Sequence, residues 1–244
     1  MEKEKTEQNQ KNLTISLSYK KYGDKGRVIL FFPDDEDSSE QLEQKGMIEQ
    51  CRPFWKTGRC QIYAVSTLDK ETFDDLERPF TERVALYENY VQTLKEQILE
   101  PLKKQTPTNL PLTAGCGRGA FHAMNLFCRF PDMTGGALCV SGFYQLDLLL
   151  GHNMNETAKE NSPLLFMNHE WAEKYENDFI KSRIIISSGK SDEAQTSFFQ
   201  TLEMEKLFIS LKIPFFIDIW GKDVTSDWYW WNKQIPYFME KILS

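Results

Sequence analysis

This chain has no surplus of positive charge. Its 244 residues carry 29 lysines and arginines against 36 acids, a formal net charge of −7. No basic stripe stands out, so the phosphate-neutralising term that dominates nucleic-acid binding is missing, and nucleic acid is not an expected partner. Long apolar runs are also lacking: none approaches the roughly 20 residues that span a bilayer. The first dozen residues are polar and charged, unlike a signal peptide, so the expected location is cytoplasmic with no membrane partner. Cysteines are few. Cys51, Cys60, Cys116, Cys128 and Cys139 form an odd set with no C-x-x-C pair, set mostly in apolar segments. They read as reduced core thiols rather than bridges or ligands, and no metal or cofactor is expected.

Hydrophobic residues make up 41% of the chain and aromatics 13%, enough to build a sizeable core. Residues 1–12 read as a polar tail and 13–244 as a single domain. Apolar runs bounded by turn signals predict strands at 13–19, 27–32, 61–65, 110–114, 137–141, 183–188 and 215–219. Helical periodicity predicts helices at 82–102, 120–130, 194–211 and 229–243. Strands alternating with helices imply an α/β architecture, a mostly parallel sheet with helices on both faces. The opening two strands are expected to form a hairpin around Gly23 to Gly26. The stretch 145–178 lacks periodicity and reads equally as a short cap over the sheet's C-terminal edge or as a plain surface connection.

Residues 110–120, Leu-Pro-Leu-Thr-Ala-Gly-Cys-Gly-Arg-Gly-Ala, carry the strand, sharp turn and helix start of a nucleophile elbow. In the G-x-S-x-G motif the middle serine is thrust out over the sheet edge, and the flanking small residues let the backbone reverse. Gly115 and Gly119 supply the flanks. Gly117 stands where the serine belongs.

The elbow, with Val28-Ile-Leu-Phe-Phe-Pro33, Lys45-Gly-Met-Ile48, Phe130-Pro-Asp132, Val140-Ser-Gly142, Asp218-Ile-Trp-Gly221 and Asp227-Trp-Tyr-Trp-Trp231, resembles the α/β-hydrolase fold, and within it the bacterial esterases of the esterase D type. The resemblance covers roughly residues 27–240 and implies an α/β-hydrolase fold with a serine, acid and histidine triad. Carried onto this chain, it places the nucleophile at Gly117, the acid in the loop of residues 189–193 with Asp192 as the nearest match, and the histidine at Ser226. Only the acid survives that mapping. The first oxyanion donor would be the backbone N–H of Arg118 and the second would come from the loop after Phe32, where Asp34, Asp35, Glu36 and Asp37 bring negative charge to a site meant for a developing anion. Loss of a triad serine or histidine costs on the order of 10⁶ in turnover, so ordinary serine hydrolysis is not expected.

Other groups offer weak substitutes. Cys116 precedes the elbow's apex and should point into packing, so an inert structural thiol is the preferred reading. His122 reads as a satisfied structural histidine; His152 and His169 lie in the presumed cap. The acidic loop matches no EF-hand spacing and reads as a solvated run rather than a cation site. The aromatic-rich segment with Trp220, Trp228, Trp230 and Trp231 reads as core and pocket wall.

The expectation is a catalytically inactive, esterase-like protein with a binding or interaction role. Its vestigial pocket would be lined near Asp34, Cys116, Arg118, Phe143, Tyr144 and Trp228. Arg118 would be free to pair with an anionic small molecule. A homo-oligomer or an active paralogue is the expected macromolecular partner, and the alternative is a weak or non-standard carboxylic-ester hydrolase or acyltransferase.

Overall fold

The computed structural model describes residues 15, 17–35, 37–151, 154–191 and 195–244. Seven strands, β1 (Tyr19–Tyr22), β2 (Arg27–Phe32), β3 (Cys60–Val65), β4 (Leu112–Cys116), β5 (Gly136–Val140), β6 (Arg183–Ser188) and β7 (Phe216–Ile219), form one sheet in the order β1-β3-β2-β4-β5-β6-β7. All neighbours are parallel except β1 against β3. The helices that matter here are α1 (Asp69–Thr72), α2 (Phe80–Leu94), α3 (Arg118–Arg129), α4 (Gln195–Ser210) and α5 (Trp228–Ile242).

Alternation along each central strand feeds two cores. Val28, Leu30 and Phe32 enter one core with residues of α2, α3 and α4, whereas Ile29 and Phe31 enter the other with α5 and the short helices between residues 41 and 56. Burial of both faces is why these strands read as continuous apolar runs rather than as alternating ones.

The expected hairpin does not form. β1 pairs with the far edge of β3, and β3 lies between β1 and β2. The connection at Gly23 to Gly26 therefore steps across two strand spacings, roughly 10 Å, within reach of four extended residues. Gly23 and Gly26 both hold positive φ, and a Cβ on Gly26 would lie 2.4 Å from the backbone of Gly58 and Arg59. Local turn chemistry marked the reversal but carried no information about the strand inserted into it. β1 also starts at Tyr19 rather than at residue 13, and residues 13, 14 and 16 lie outside the described part.

The helix expected over 82–102 is α2 continued through a π turn (Lys95–Leu99) into a last helical piece (Glu100–Gln105). Pro101 has no N–H to give the preceding turn, and the wider turn lies immediately before it. Among the described residues, the stretch between β5 and β6 forms five short helices that lie along the helical layer. Trp171 Nε1 donates to the Cys128 carbonyl at 3.0 Å, Phe179 meets Phe127 edge-on at 5.8 Å, and Asn161 joins Asn125, Glu88 and Arg129 in a polar network. Among the described residues no helix is long and apolar enough to cross a membrane.

The elbow depends on close approach. A Cβ on Gly115 would stand 2.1 Å from the backbone of Gly119, and one on Gly119 would stand 2.4 Å from the Phe32 carbonyl. β4, α3 and the end of β2 can meet at this distance only if both positions lack side chains. Gly115→Ala is expected to cost more than about 3 kcal/mol, because backbone rather than a pliable side chain blocks the methyl. A urea-denaturation midpoint within error of the parent's would contradict this.

Candidate functional site

At the turn between β4 and α3, Gly117 adopts φ 56°, ψ −123°. This left-handed backbone is strained for any residue with a Cβ, and an elbow demands it. The expected geometry is thus present at the expected residue, with glycine relieving the strain.

The space above Gly117 is filled. A Cβ there would lie 2.1 Å from Asp34 Oδ1 and 3.2 Å from Trp231 Cη2. Asp34 Oδ1 accepts the Arg118 backbone N–H at 2.8 Å. The resemblance expected that N–H to serve as an oxyanion donor; in the structure its acceptor is the chain's own carboxylate. In the loop after Phe32 the Asp34 N–H is also engaged, donating to Gln41 Oε1 at 2.7 Å. Gln41, fully buried, then donates from Nε2 to Asp35 Oδ1 at 2.9 Å.

The acidic loop is consequently not a solvated run, and that expectation is corrected. Besides Asp34 and Asp35, Asp37 accepts from Thr67 Oγ1 at 3.0 Å and from the N–H groups of Asp69 and Lys70 at 2.5 and 2.8 Å, capping the start of α1. Glu36 lies outside the described residues. Helix starts leave orphan N–H groups, and the loop's carboxylates satisfy them at two helices, α1 and α3.

Arg118 is likewise not free to meet a ligand. Its guanidinium Nη1 pairs with Asp74 Oδ2 at 2.8 Å. Of the other expected wall residues, Cys116 and Tyr144 are buried, the first in the core beneath β4 and the second in the opposite core, so neither faces a pocket above Gly117. Phe143 and Trp228 are half-buried. Trp231, read from sequence with its aromatic neighbours as core and pocket wall, is the residue that closes the space above Gly117. Its Nε1 reaches Ser141 Oγ at 3.2 Å, and its ring meets Trp228 edge-on at 5.1 Å.

Ser226, where the resemblance expected a histidine, immediately precedes Asp227, whose side chain caps α5 by accepting from the Trp230 N–H at 3.1 Å. Ser226 Oγ lies 3.1 Å from Ser197 Oγ, which lies 3.1 Å from Ser188 Oγ at the end of β6. Each of these three groups is a hydroxyl, which does not take up a proton near neutral pH. Asp192 and His152 lie outside the described residues. His169 is exposed at the start of a short helix.

His122 is buried in α3. Its Nε2 stands 2.8 Å from Asp69 Oδ1 and its Nδ1 3.2 Å from the Tyr87 hydroxyl. Both ring nitrogens are engaged and the pair is shut off from solvent, which suits a structural bond between α1, α2 and α3 rather than a general base. Burial also pushes the Cys116 thiol well above its ordinary range, so almost no thiolate exists at neutral pH. A mild alkylating agent should therefore leave Cys116 unlabelled in the folded protein, as read by mass spectrometry; rapid labelling would refute the assignment.

Burial raises the Asp34 carboxyl to about 6, outweighing the hydrogen bond from Arg118. The folded state thus holds this proton more tightly than the unfolded chain, and the contribution of Asp34 to stability falls as pH rises from about 4 through 6. Asn keeps an acceptor for Arg118 and removes the charge. Asp34→Asn should therefore stabilise the protein at pH 8 by up to roughly 2–3 kcal/mol relative to the parent, with the difference shrinking toward pH 4. Denaturation curves across that range test the sign, and a pH-independent difference would exclude it.

No family model and no curated protein matches the chain by sequence. Solved structures do. A ferulic acid esterase aligns at 14% identity with a TM-score of 0.62, covering 91% of this chain and 86% of its own. An S-formylglutathione hydrolase from Agrobacterium tumefaciens aligns at 13% identity and 0.63, covering 90% and 84%. The corresponding enzyme FrmB from Staphylococcus aureus aligns at 13% and 0.59, covering 91% and 83%. With a seven-stranded, mostly parallel sheet, helices on both faces and a glycine-flanked elbow at the end of β4, this chain has the α/β-hydrolase fold.

Proposed function

We propose that this protein is a non-catalytic relative of the esterases whose fold it shares, retained for binding or interaction rather than for ester hydrolysis. One observation carries the reading: the Asp34 carboxylate accepts the Arg118 N–H at 2.8 Å and fills the space into which a nucleophile at residue 117 would project. An ester carbonyl seeking that donor meets a resident carboxylate, and an acyl oxygen gaining charge there is repelled in a site partly shielded from water. Gly117 offers no attacking atom and Ser226 no proton acceptor, so the losses reinforce one another. Because the hole is already occupied, recognition of a small molecule at the elbow is disfavoured, and a role carried by other surfaces, including association with itself or with an active paralogue, fits better.

Turnover of p-nitrophenyl acetate is the direct test. The parent should not exceed the buffer rate, and Gly117→Ser alone should not rescue it, because the new side chain has no room beside Asp34. Combining Gly117→Ser with Asp34→Gly and Ser226→His should raise the rate above that of Gly117→Ser alone. Parent turnover that vanishes in Cys116→Ala, or a covalent adduct with a fluorophosphonate probe, would establish an enzyme instead.

A further inference from the structure

The strands β2 and β6 begin at the sheet edge opposite the elbow, and each begins with an arginine, Arg27 and Arg183. The last turn of α5 adds Lys241. Arg27 runs beneath the sheet, giving Nε to the Leu110 carbonyl at 2.8 Å and Nη2 to the Gly135 carbonyl at 3.3 Å. Arg183 gives Nη1 to the Ile242 carbonyl at 3.0 Å, and the Lys241 ammonium lies over the rings of Phe216 and Tyr237 at 5.3 and 5.0 Å. All of these partners are carbonyls or rings. None of the ion pairs among the described residues includes any of the three cations.

Arg183 and Lys241 line a cleft of about 500 Å³ whose other walls include Ile185, Phe215, Phe216 and Ile242. Phe216 is 42% exposed there, on the sheet's edge strand. The Arg27 guanidinium is partly buried and feels the positive charge of Arg183, and an anion placed beside Arg183 relieves that repulsion. A fully hydrated inorganic ion would leave the aromatic and aliphatic walls wet, whereas a ligand with an apolar body would cover them.

We propose that this cleft binds an amphiphilic carboxylate, with its head between Arg183 and Lys241 and its hydrocarbon body against Phe215, Phe216 and Ile242. The site is separate from the elbow and does not depend on the reading of the elbow as inactive. Arg183 supplies the directional donors that it does not give to Ile242, and Lys241 supplies a mobile point charge.

Isothermal titration of the full chain with decanoate, decanol and acetate separates head from body. Decanoate is expected to bind saturably and at least ~10-fold more tightly than either of the others, since each supplies only half of the recognition. Lys241→Gln, which leaves the carbonyl contact of Arg183 in place, should weaken decanoate about 5- to 10-fold. Arg183→Gln should do the same, with circular dichroism confirming that the fold is kept. Asp34→Asn should leave the affinity unchanged. Equal affinity for decanol, no effect of both cleft variants, or loss of binding in Asp34→Asn would each overturn the assignment.

Discussion

Everything around the elbow is arranged about one hydrogen bond, from the Arg118 backbone N–H to Asp34 Oδ1. A sharp turn into a 12-residue helix leaves N–H groups with no intrahelical acceptor and a partial positive charge at the helix start. In a hydrolase that unsatisfied donor is the means of catalysis, because the substrate's developing anion completes it. Left permanently empty and shielded from water, the same donor is a cost of roughly 1–3 kcal/mol. Here the protein supplies its own acceptor, and the site reads as finished rather than waiting.

The substitutions are physically coupled. With a side chain at 117, Asp34 could not stand where it does, since its Oδ1 lies 2.1 Å from the Cβ position. With glycine there, the strained backbone becomes tolerable for the chain and a space opens. Asp34 and the Trp231 ring edge occupy it, and Gln41 fixes the loop that presents the carboxylate. Glycine at 117 is therefore what leaves room for the Asp34 carboxylate.

Much of the architecture was legible because it is written locally. β2 and β6 fall where their apolar runs end, and the elbow's glycines sit where the backbones of β4, α3 and β2 converge. The sharp turn at Gly117 was legible as well. What closes it was not, because Asp34 and Arg118 are 84 residues apart and nothing near either one states that they meet. A run of acids next to a strand looks solvated until the helix starts that need its oxygens are placed beside it. The pairing of Arg118 with Asp74 and the insertion of β3 beside β1 are likewise decided by contacts between distant segments, for which hydrophobic period and turn residues carry no signal.

The balance at Asp34 shows what the start of α3 offers a buried carboxylate. A charge-assisted hydrogen bond contributes about 1.5–3 kcal/mol and a helix start about 0.3–1 kcal/mol, both favouring the ionised form. Burial still wins, since the carboxyl lies at about 6 rather than below its ordinary value. The N–H donors of the helix start therefore do not make this a comfortable place for a permanent charge. Asp34 sits at this helix start as a resident, its carboxyl raised to about 6 by burial. Its tenancy rests less on electrostatic attraction than on the wall of Gly117, Trp231 and Gln41 that gives its side chain this place to stand.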